Sequence, residues 1–225
     1  MLLLLACASG PQESTLVDDL QVVAVLAEPP EAGPGEFIAL ETVVADPKET
    51  GFDLFQWVCM GESCETVEDS LLISPGLGAI ANEDPIPLFH WTLACEPGLC
   101  DPEPTADAQA LLQDLPREGV SLGLRWLYVS TREGRINPTI TCDEGADFTF
   151  NCAIEGDFSE FTAVYPYATT GGWDAAETEV VPGDTSIEVS WFPNDADDPA
   201  DVWVVLVDGQ GGVGLWSARV GSNEG

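Results

Sequence analysis

Segments in which apolar and polar residues alternate recur along almost the whole chain. Successive side chains of a β-strand point to opposite faces, so this alternation predicts strands that hold one apolar face against a core. Turn-forming residues separate these segments, as in the proline- and glycine-rich residues 29–35. Many short strands with few helices are typical of β-sandwiches, so the sequence predicts an all-β protein. The predicted apolar faces are Leu20, Val22, Ala24 and Leu26; Ile38, Leu40, Thr42 and Val44; Phe55, Trp57 and Cys59; Val120, Leu122, Leu124, Trp126 and Tyr128; Phe148, Phe150, Cys152 and Ile154; Phe161, Ala163, Tyr165 and Tyr167; Ile187, Val189 and Trp191; and Val202, Val204 and Leu206.

A boundary between two domains is predicted near the middle of the chain. Residues 132–138 combine two arginines with glycine and proline, which indicates a linker. The flanking residues 16–131 and 139–222 are each about the size of an immunoglobulin-like (Ig-like) sandwich. One short helix is predicted at residues 105–115, with Thr105 as its N-cap. The predicted fold is therefore two tandem Ig-like β-sandwich domains with one short helix inserted in the first.

The start of the chain contains the first of seven cysteines in a setting typical of bacterial lipoproteins. The sequence Leu4-Leu5-Ala6-Cys7 resembles a lipobox, in which the thiol of Cys7 carries diacylglycerol after cleavage. Residues 1–6 are then a truncated signal peptide, without the usual basic segment, and residues 7–15 are a tether. The alternative is a buried N-terminal strand that contains a cysteine. Because alanine rather than aspartate follows Cys7, the outer membrane or cell surface is favoured over the inner membrane.

The other six cysteines are an even number, and in an exported protein they predict three disulfides. Six cysteines allow fifteen pairings. Spacing favours the local pairs, with cross pairs between the first two motifs as the second choice. A four-cysteine zinc site is the less favoured alternative. The local pairs are Cys59 with Cys64, Cys95 with Cys100, and Cys142 with Cys152.

The balance of charge excludes some classes of partner. The chain carries 40 acidic residues and 6 basic ones, for a net charge of −34. A surface this negative is repelled by phosphate backbones, so no nucleic-acid partner is expected. Hydrophobic residues make up 45% of the chain, enough for a buried core. No apolar run reaches the length of a membrane-spanning helix.

Candidate binding and catalytic residues are few. The densest acidic run contains Asp195, Asp197, Asp198 and Asp201, whose carboxylates could bind calcium, although a solvated loop is the favoured interpretation. The single histidine, His90, is interpreted as a packed strand residue. Neither a Gly-x-Ser-x-Gly motif nor an informative carboxylate pair indicates a hydrolase. Apart from calcium, no cofactor is expected.

The seven tryptophans allow a carbohydrate-binding interpretation, because sugars stack on exposed indole rings. We expect Trp57, Trp126, Trp191 and Trp203 to lie in the core, and Trp173 in a loop. Trp216 falls in the last predicted strand, after a glycine-rich hairpin turn at residues 208–212. Ordinary packing is favoured over a sugar-binding platform.

Several segments together resemble Ig-like and PKD-like lipoproteins of deltaproteobacteria, myxobacteria especially. The resemblance lies in residues 28–36, 45–47, Trp57 and Cys59, then in residues 135–138 and 167–172, and most specifically in residues 202–213 with Trp216. It implies an outer-membrane or surface lipoprotein. The inter-sheet disulfide of antibody domains has no counterpart here, so the resemblance concerns architecture rather than antibody-like binding.

These observations predict a noncatalytic protein of the cell envelope, anchored to the membrane through a lipid. Its Ig-like domains would serve adhesion, envelope structure or binding of a protein or glycan partner. The alternative is a carbohydrate-binding or calcium-dependent recognition module, and an envelope hydrolase ranks below both.

Overall fold

The computed structural model describes residues 16–67, 71–74, 85–107, 118–130, 135–158, 161–195 and 199–221. Within these residues the chain forms sixteen strands, eight on each side of the predicted linker. The strands before the linker are β1 (Gln21–Glu28), β2 (Glu31–Ala32), β3 (Phe37–Ala45), β4 (Asp53–Met60), β5 (Ser63–Thr66), β6 (Leu71–Ile73), β7 (Ile86–Cys95) and β8 (Val120–Val129). Those after it are β9 (Thr139–Glu144), β10 (Thr149–Glu155), β11 (Ala163–Ala168), β12 (Gly172–Trp173), β13 (Thr178–Glu179), β14 (Ser186–Phe192), β15 (Ala200–Val207) and β16 (Val213–Val220).

The strands form four sheets, and the sheets are stacked as four layers. Sheet I has the order β2-β8-β7-β4-β5, and sheet II has the order β1-β3-β6. Sheet III has the order β13-β11-β15-β16, and sheet IV has the order β12-β14-β10-β9. Sheets I and II enclose the core of the first sandwich, and sheets III and IV enclose that of the second. The protein is thus an all-β fold of tandem β-sandwiches, as the alternation predicts.

A third apolar layer lies between sheets II and III and joins the two sandwiches. It contains Val23 and Ala24 from β1 and Val205 and Val207 from β15, all of them buried. Strand β15 is therefore covered on both faces, because Val202, Val204 and Leu206 point into the second sandwich instead. We call the layer between sheets II and III the junction layer.

Strand β1 departs from the predicted alternation. The pairing of β1 with β3 shifts register between Val22 and Ala24, which marks a β-bulge. Val22 and Val25 consequently face the first sandwich, whereas Val23 and Ala24 both face the junction layer. The prediction that Leu20, Val22, Ala24 and Leu26 share one face is wrong, because the extra residue of the bulge reverses the side on which later residues lie.

The orientation of strand β8 is the reverse of the predicted one, because its predicted apolar face does not face the core of the sandwich. Its buried residues are Ser121, Gly123, Arg125, Leu127 and Val129, which face sheet II. The predicted apolar face, from Val120 to Tyr128, is half-buried on the outside of sheet I. The inner face of β8 therefore carries two buried polar residues, Ser121 and Arg125.

The tryptophans divide between core and partly covered positions. Trp57 and Trp191 are buried as predicted, whereas Trp126 and Trp203 are only half-buried. In the second sandwich, Phe150 is fully buried. Its ring lies 5.7 Å from that of Trp173 and 5.5 Å from that of Trp216. Both indoles therefore pack on the core instead of extending into solvent.

Three disulfides link neighbouring positions of the fold, in agreement with the predicted number. Cys59 pairs with Cys64 across β4 and β5, and Cys142 pairs with Cys152 across β9 and β10. Cys95 pairs with Cys100 after the end of β7. All six sulfurs are used in these local pairs, so the two C-x4-C motifs do not form a four-thiolate zinc site in this structure.

The first described residues of the chain contact the second sandwich. Leu16 forms a parallel bridge with Ala168 at the end of β11, and the amide of Val17 donates to the carbonyl of Ala168 at 2.7 Å. Val17 is fully buried in the junction layer. The chain therefore touches sheet III before it enters β1, although the predicted boundaries assign residues 16–131 to the first domain.

Some predicted features fall partly outside the described residues. The predicted helix begins at Thr105, but residues 105–107 are not helical, and residues 108–115 lie outside the described part. Residues 132–134 of the predicted linker and the lipid-attachment residue Cys7 also lie outside it. Among the described residues, no helix has the length and apolar character needed to cross a membrane.

Candidate functional site at the junction of the two sandwiches

The most unusual side chain of the structure is a buried arginine at the junction. Arg125 lies on the inner face of β8 with 3% of its surface exposed. Its guanidinium donates to the backbone carbonyl of Val25 in the first sandwich and to that of Gly211 in the second. Burial lowers the pKa of Arg125 to about 10, while the nearby carboxylate of Asp208 acts in the opposite direction. The group therefore remains charged at neutral pH, inside the protein.

A small cavity of about 30 Å³ lies beside this arginine. Its lining is otherwise apolar and comes from β1, β8, β15 and β16, with Val22, Val205 and Val213 among the lining residues. The Nε atom of Arg125 has no hydrogen-bond partner. The guanidinium is thus fixed by backbone carbonyls through its two terminal nitrogens.

His90 sits next to Arg125 on the inner face of sheet I. The two residues are directly opposite each other in the pairing of β7 with β8, and Val58 of β4 is the other neighbour across the sheet. His90 is fully buried, and neither ring nitrogen has a hydrogen-bond partner. Burial, together with the charge of Arg125, lowers the pKa of His90 to about 3. The ring is consequently neutral at any pH near 7.

The turn between β15 and β16 is built around the side chain of Asp208. One carboxylate oxygen of this buried residue accepts hydrogen bonds from the backbone amides of Gln210, at 2.7 Å, and Gly212, at 2.8 Å. Burial raises the pKa of Asp208, although these two amides and the charges of Arg125 and Arg135 oppose that rise. The carboxylate shapes the turn so that the carbonyl of Gly211 meets Arg125.

Residues of the predicted linker complete the polar contacts. The side-chain amide of Asn137 donates to the carbonyl of Ala27 at 2.7 Å and to the carboxylate of Glu28 at 2.9 Å. Its oxygen accepts from the amide of Val213 at 3.0 Å. Beside it, the Nε of Arg135 lies 3.5 Å from the carboxylate of Glu31. Asn137 thus connects β1 to β16 directly.

Gly211 allows the turn to approach the first sandwich. Its φ of +98° is a conformation that other residues rarely adopt, and an added Cβ would lie 2.9 Å from the ring of Tyr128. A Gly211→Ala variant is expected to lose about 1–3 kcal/mol of its free energy of unfolding, measured by urea denaturation. Gly183→Ala is the matched control, because its φ is +103° and nothing lies within 4 Å of the added Cβ. Equal losses in both variants would show that the contact with Tyr128 has no energetic consequence.

The polar groups at the junction connect the two sandwiches of the chain to each other, and they are poorly placed for catalysis. His90 is sealed from solvent, and the carboxylate of Asp208 is occupied by the amides of its own turn. General acid–base catalysis needs a titratable group within reach of a substrate. Two side chains instead connect the two sandwiches, through the buried guanidinium of Arg125 and the side-chain amide of Asn137.

The residues predicted to bind calcium are not brought together in the described part. Asp201 lies 3.4 Å from Arg219 in an ion pair between β15 and β16. Asp195 follows β14, and Asp197 and Asp198 lie outside the described residues. Among the described residues, no three histidine, cysteine, aspartate or glutamate side chains are placed to hold a metal ion. Calcium binding stays a prediction.

The junction itself was not predicted from the sequence, although a signal for it exists. Residues 22–27 and 202–207 are continuous apolar runs instead of alternating ones. A strand buried on both faces gives such a run. The two runs form most of β1 and β15, which face each other across the junction layer. Nothing comparable in the sequence indicates that Arg125 is buried.

The fold and the junction define a class of protein, an all-β chain in which two sandwiches are stacked into one four-layer unit. Neither a family model nor a curated protein sequence matches this chain. The resemblance to lipoproteins of deltaproteobacteria therefore stays a prediction.

Solved structures with fibronectin-type and related domains show a weak overall similarity. The fibronectin(III)-like modules of Clostridium thermocellum CbhA share 11% identity at a TM-score of 0.31, covering 88% of this chain and 93% of that chain. The FN1-FN3 domains of chicken CNTN1 share 9% identity at a TM-score of 0.28, covering 91% of this chain and 66% of that chain. The D0-D1 domain of Intimin shares 9% identity at a TM-score of 0.26, covering 88% of this chain and 98% of that chain.

Proposed function

We propose that this chain is a noncatalytic, lipid-anchored protein of the cell envelope, whose stacked sandwiches form one module for adhesion, envelope structure or partner binding. The observation that carries the proposal is that the buried polar groups have structural contacts and are inaccessible to a substrate. Among the described residues, His90, Arg125 and Asp208 are three buried titratable groups, His90 inside the first sandwich and the other two where the sandwiches meet, and their burial keeps a substrate from reaching them. They serve architecture.

Export is supported by the three disulfides. Disulfides persist in oxidising compartments and are rare in the cytosol of most organisms. With six cysteines paired, Cys7 is the one cysteine outside the disulfide pairs. Its position after Leu4, Leu5 and Ala6 supports lipid attachment there. Anchoring at the outer membrane or cell surface is favoured over the inner membrane because Ala8, and not an aspartate, follows Cys7.

The anchor is tested by the mass and location of the protein in its native cells. The membrane-extracted protein is expected to carry diacylglycerol on Cys7, and a Cys7→Ala variant is expected to leave the membrane fraction. This substitution spares all six disulfide cysteines, so folding is not expected to change. An unmodified Cys7 in the mature membrane-extracted protein would contradict the anchor.

Partner binding is tested by crosslinking in native cells followed by mass spectrometry. The expected result is a small set of specific adducts to another envelope component, a protein or a glycan. Crosslinked peptides should map to the exposed surface of the sandwiches, and the buried junction should be absent from them. Recovery of the monomer alone, under conditions in which a known envelope complex crosslinks, would contradict the binding role.

A further inference from the structure

Strand β1 is the edge strand of sheet II, since the order of that sheet is β1-β3-β6. An edge strand has a row of backbone amides and carbonyls without a neighbouring strand, and inside a protein these groups require other partners. On β1, side chains provide them. The amide of Val22 donates to the hydroxyl of Ser121 at 2.8 Å, the carbonyl of Val25 accepts from Arg125, and the carbonyl of Ala27 accepts from Asn137 at 2.7 Å.

These contacts explain the polar inner face of β8. Ser121 and Arg125 are buried opposite β1 because they replace the hydrogen bonds that a neighbouring strand would make. Two of the three side chains also continue into the second sandwich. Arg125 reaches the carbonyl of Gly211, and Asn137 accepts from the amide of Val213. The edge of β1 is thus tied to the β15–β16 turn at two points.

We propose that Arg125 and Asn137 form an orientation lock, which couples the edge of β1 to the β15–β16 turn and holds the two sandwiches in one fixed orientation. The apolar junction layer supplies attraction that is not directional, because the hydrophobic effect depends on area. Hydrogen bonds are directional, so they select one arrangement among those that bury similar apolar area. The lock therefore acts on specificity of orientation more than on stability.

This division of roles fits the energetics of buried charges. Bringing a guanidinium out of water is unfavourable, and buried ionic groups can often be replaced by apolar residues of similar size without loss of stability. An Arg125→Met variant removes this unfavourable charge but leaves the carbonyls of Val25 and Gly211 without their donor, so it is expected to remain folded with a lower melting temperature than the wild type. Its two sandwiches are expected to change their mutual orientation or to sample several orientations.

Residual dipolar couplings measured by NMR test the lock on the whole disulfide-bonded chain. In the wild type, both sandwiches are expected to give one common alignment tensor. In Arg125→Met, the tensors of the two sandwiches should differ beyond experimental error. Arg219→Met is the matched control, because that arginine is exposed on β16 and pairs with Asp201 at the end of the β15–β16 hairpin opposite to the turn that Arg125 contacts. It should keep the common tensor.

A second variant separates the lock from a failure to fold. Asn137→Ala removes the other tie without placing or removing a buried charge, so it is expected to fold even if Arg125→Met does not. In this variant too, the alignment tensors of the two sandwiches should differ. A common tensor in both variants, identical to that of the wild type, would overturn the proposal and assign orientation to the junction layer alone. Different tensors in the wild type would also overturn it.

Discussion

A Phe150→Ala variant is expected to lose about 3–5 kcal/mol of its free energy of unfolding. Phe150 is fully buried at the centre of the second sandwich, between Trp173 and Trp216. Removing the ring forfeits its transfer from water and leaves a cavity that the surrounding strands cannot fill, because β15 is itself held from both faces. Urea denaturation followed by far-ultraviolet circular dichroism measures the loss.

Phe192→Ala is the matched control for this experiment. Phe192 lies in the same sandwich, but 59% of its surface is exposed, so its loss is expected to change stability by less than about 0.5 kcal/mol. Because the junction layer joins the two sandwiches, the Phe150→Ala transition is expected to remain single. A loss below about 1 kcal/mol, or a first sandwich that unfolds at the wild-type midpoint while the second has already unfolded, would contradict this account.

Acidification is expected to destabilise the protein through His90. Burial lowers the pKa of its ring from about 6.5 to about 3. Between these two values the unfolded chain binds a proton that the folded protein excludes. Stability from this group is therefore complete above pH 6.5 and is lost as the pH falls toward 3. One pKa unit corresponds to about 1.4 kcal/mol, so the loss is on the order of 4 kcal/mol over the whole interval.

A His90→Leu variant isolates this effect from the titration of the carboxylates. Both nitrogens of His90 lack partners, so an apolar side chain of similar size is expected to leave stability at pH 7 unchanged or higher. The difference in free energy of unfolding between the variant and the wild type should then grow as the pH is lowered from 7 to 4. Parallel pH profiles would show that His90 does not titrate differently in the folded protein.

Local periodicity predicted much of the second sandwich correctly. Phe150, Cys152 and Ile154 of β10, with Val189 and Trp191 of β14, all lie in its core. The physical reason is that the face on which a side chain lies depends only on its position along the strand. An alternating strand covered on one side therefore shows its buried face directly in the sequence.

Where the structure differs from the predictions, contacts between residues distant in sequence determine which face of a strand is buried. The bulge in β1 moves Ala24 to the junction layer, and the free edge of β1 requires polar partners, so Arg125 faces inward. Arg125 and Val25 are separated by 100 positions, and Arg125 and Gly211 by 86. No local sequence pattern shows that the edge of β1 requires hydrogen-bond partners from β8. For this reason the sequence predicts β8 with its faces reversed and does not predict the candidate site.

The sequence alone determined the all-β class, the number of disulfides and the turn at residues 208–212, because alternation, cysteine count and turn chemistry are local properties. The continuous apolar runs of residues 22–27 and 202–207 already contained the information that two strands are buried on both faces. Only the tertiary structure decided that these two strands face each other and stack the sandwiches into four layers. It also decided that a protein with a net charge of −34 buries one of its few arginines at that junction. The carbonyls that hold this arginine belong to Val25 and Gly211, which are far apart in sequence and are brought together only by the tertiary structure.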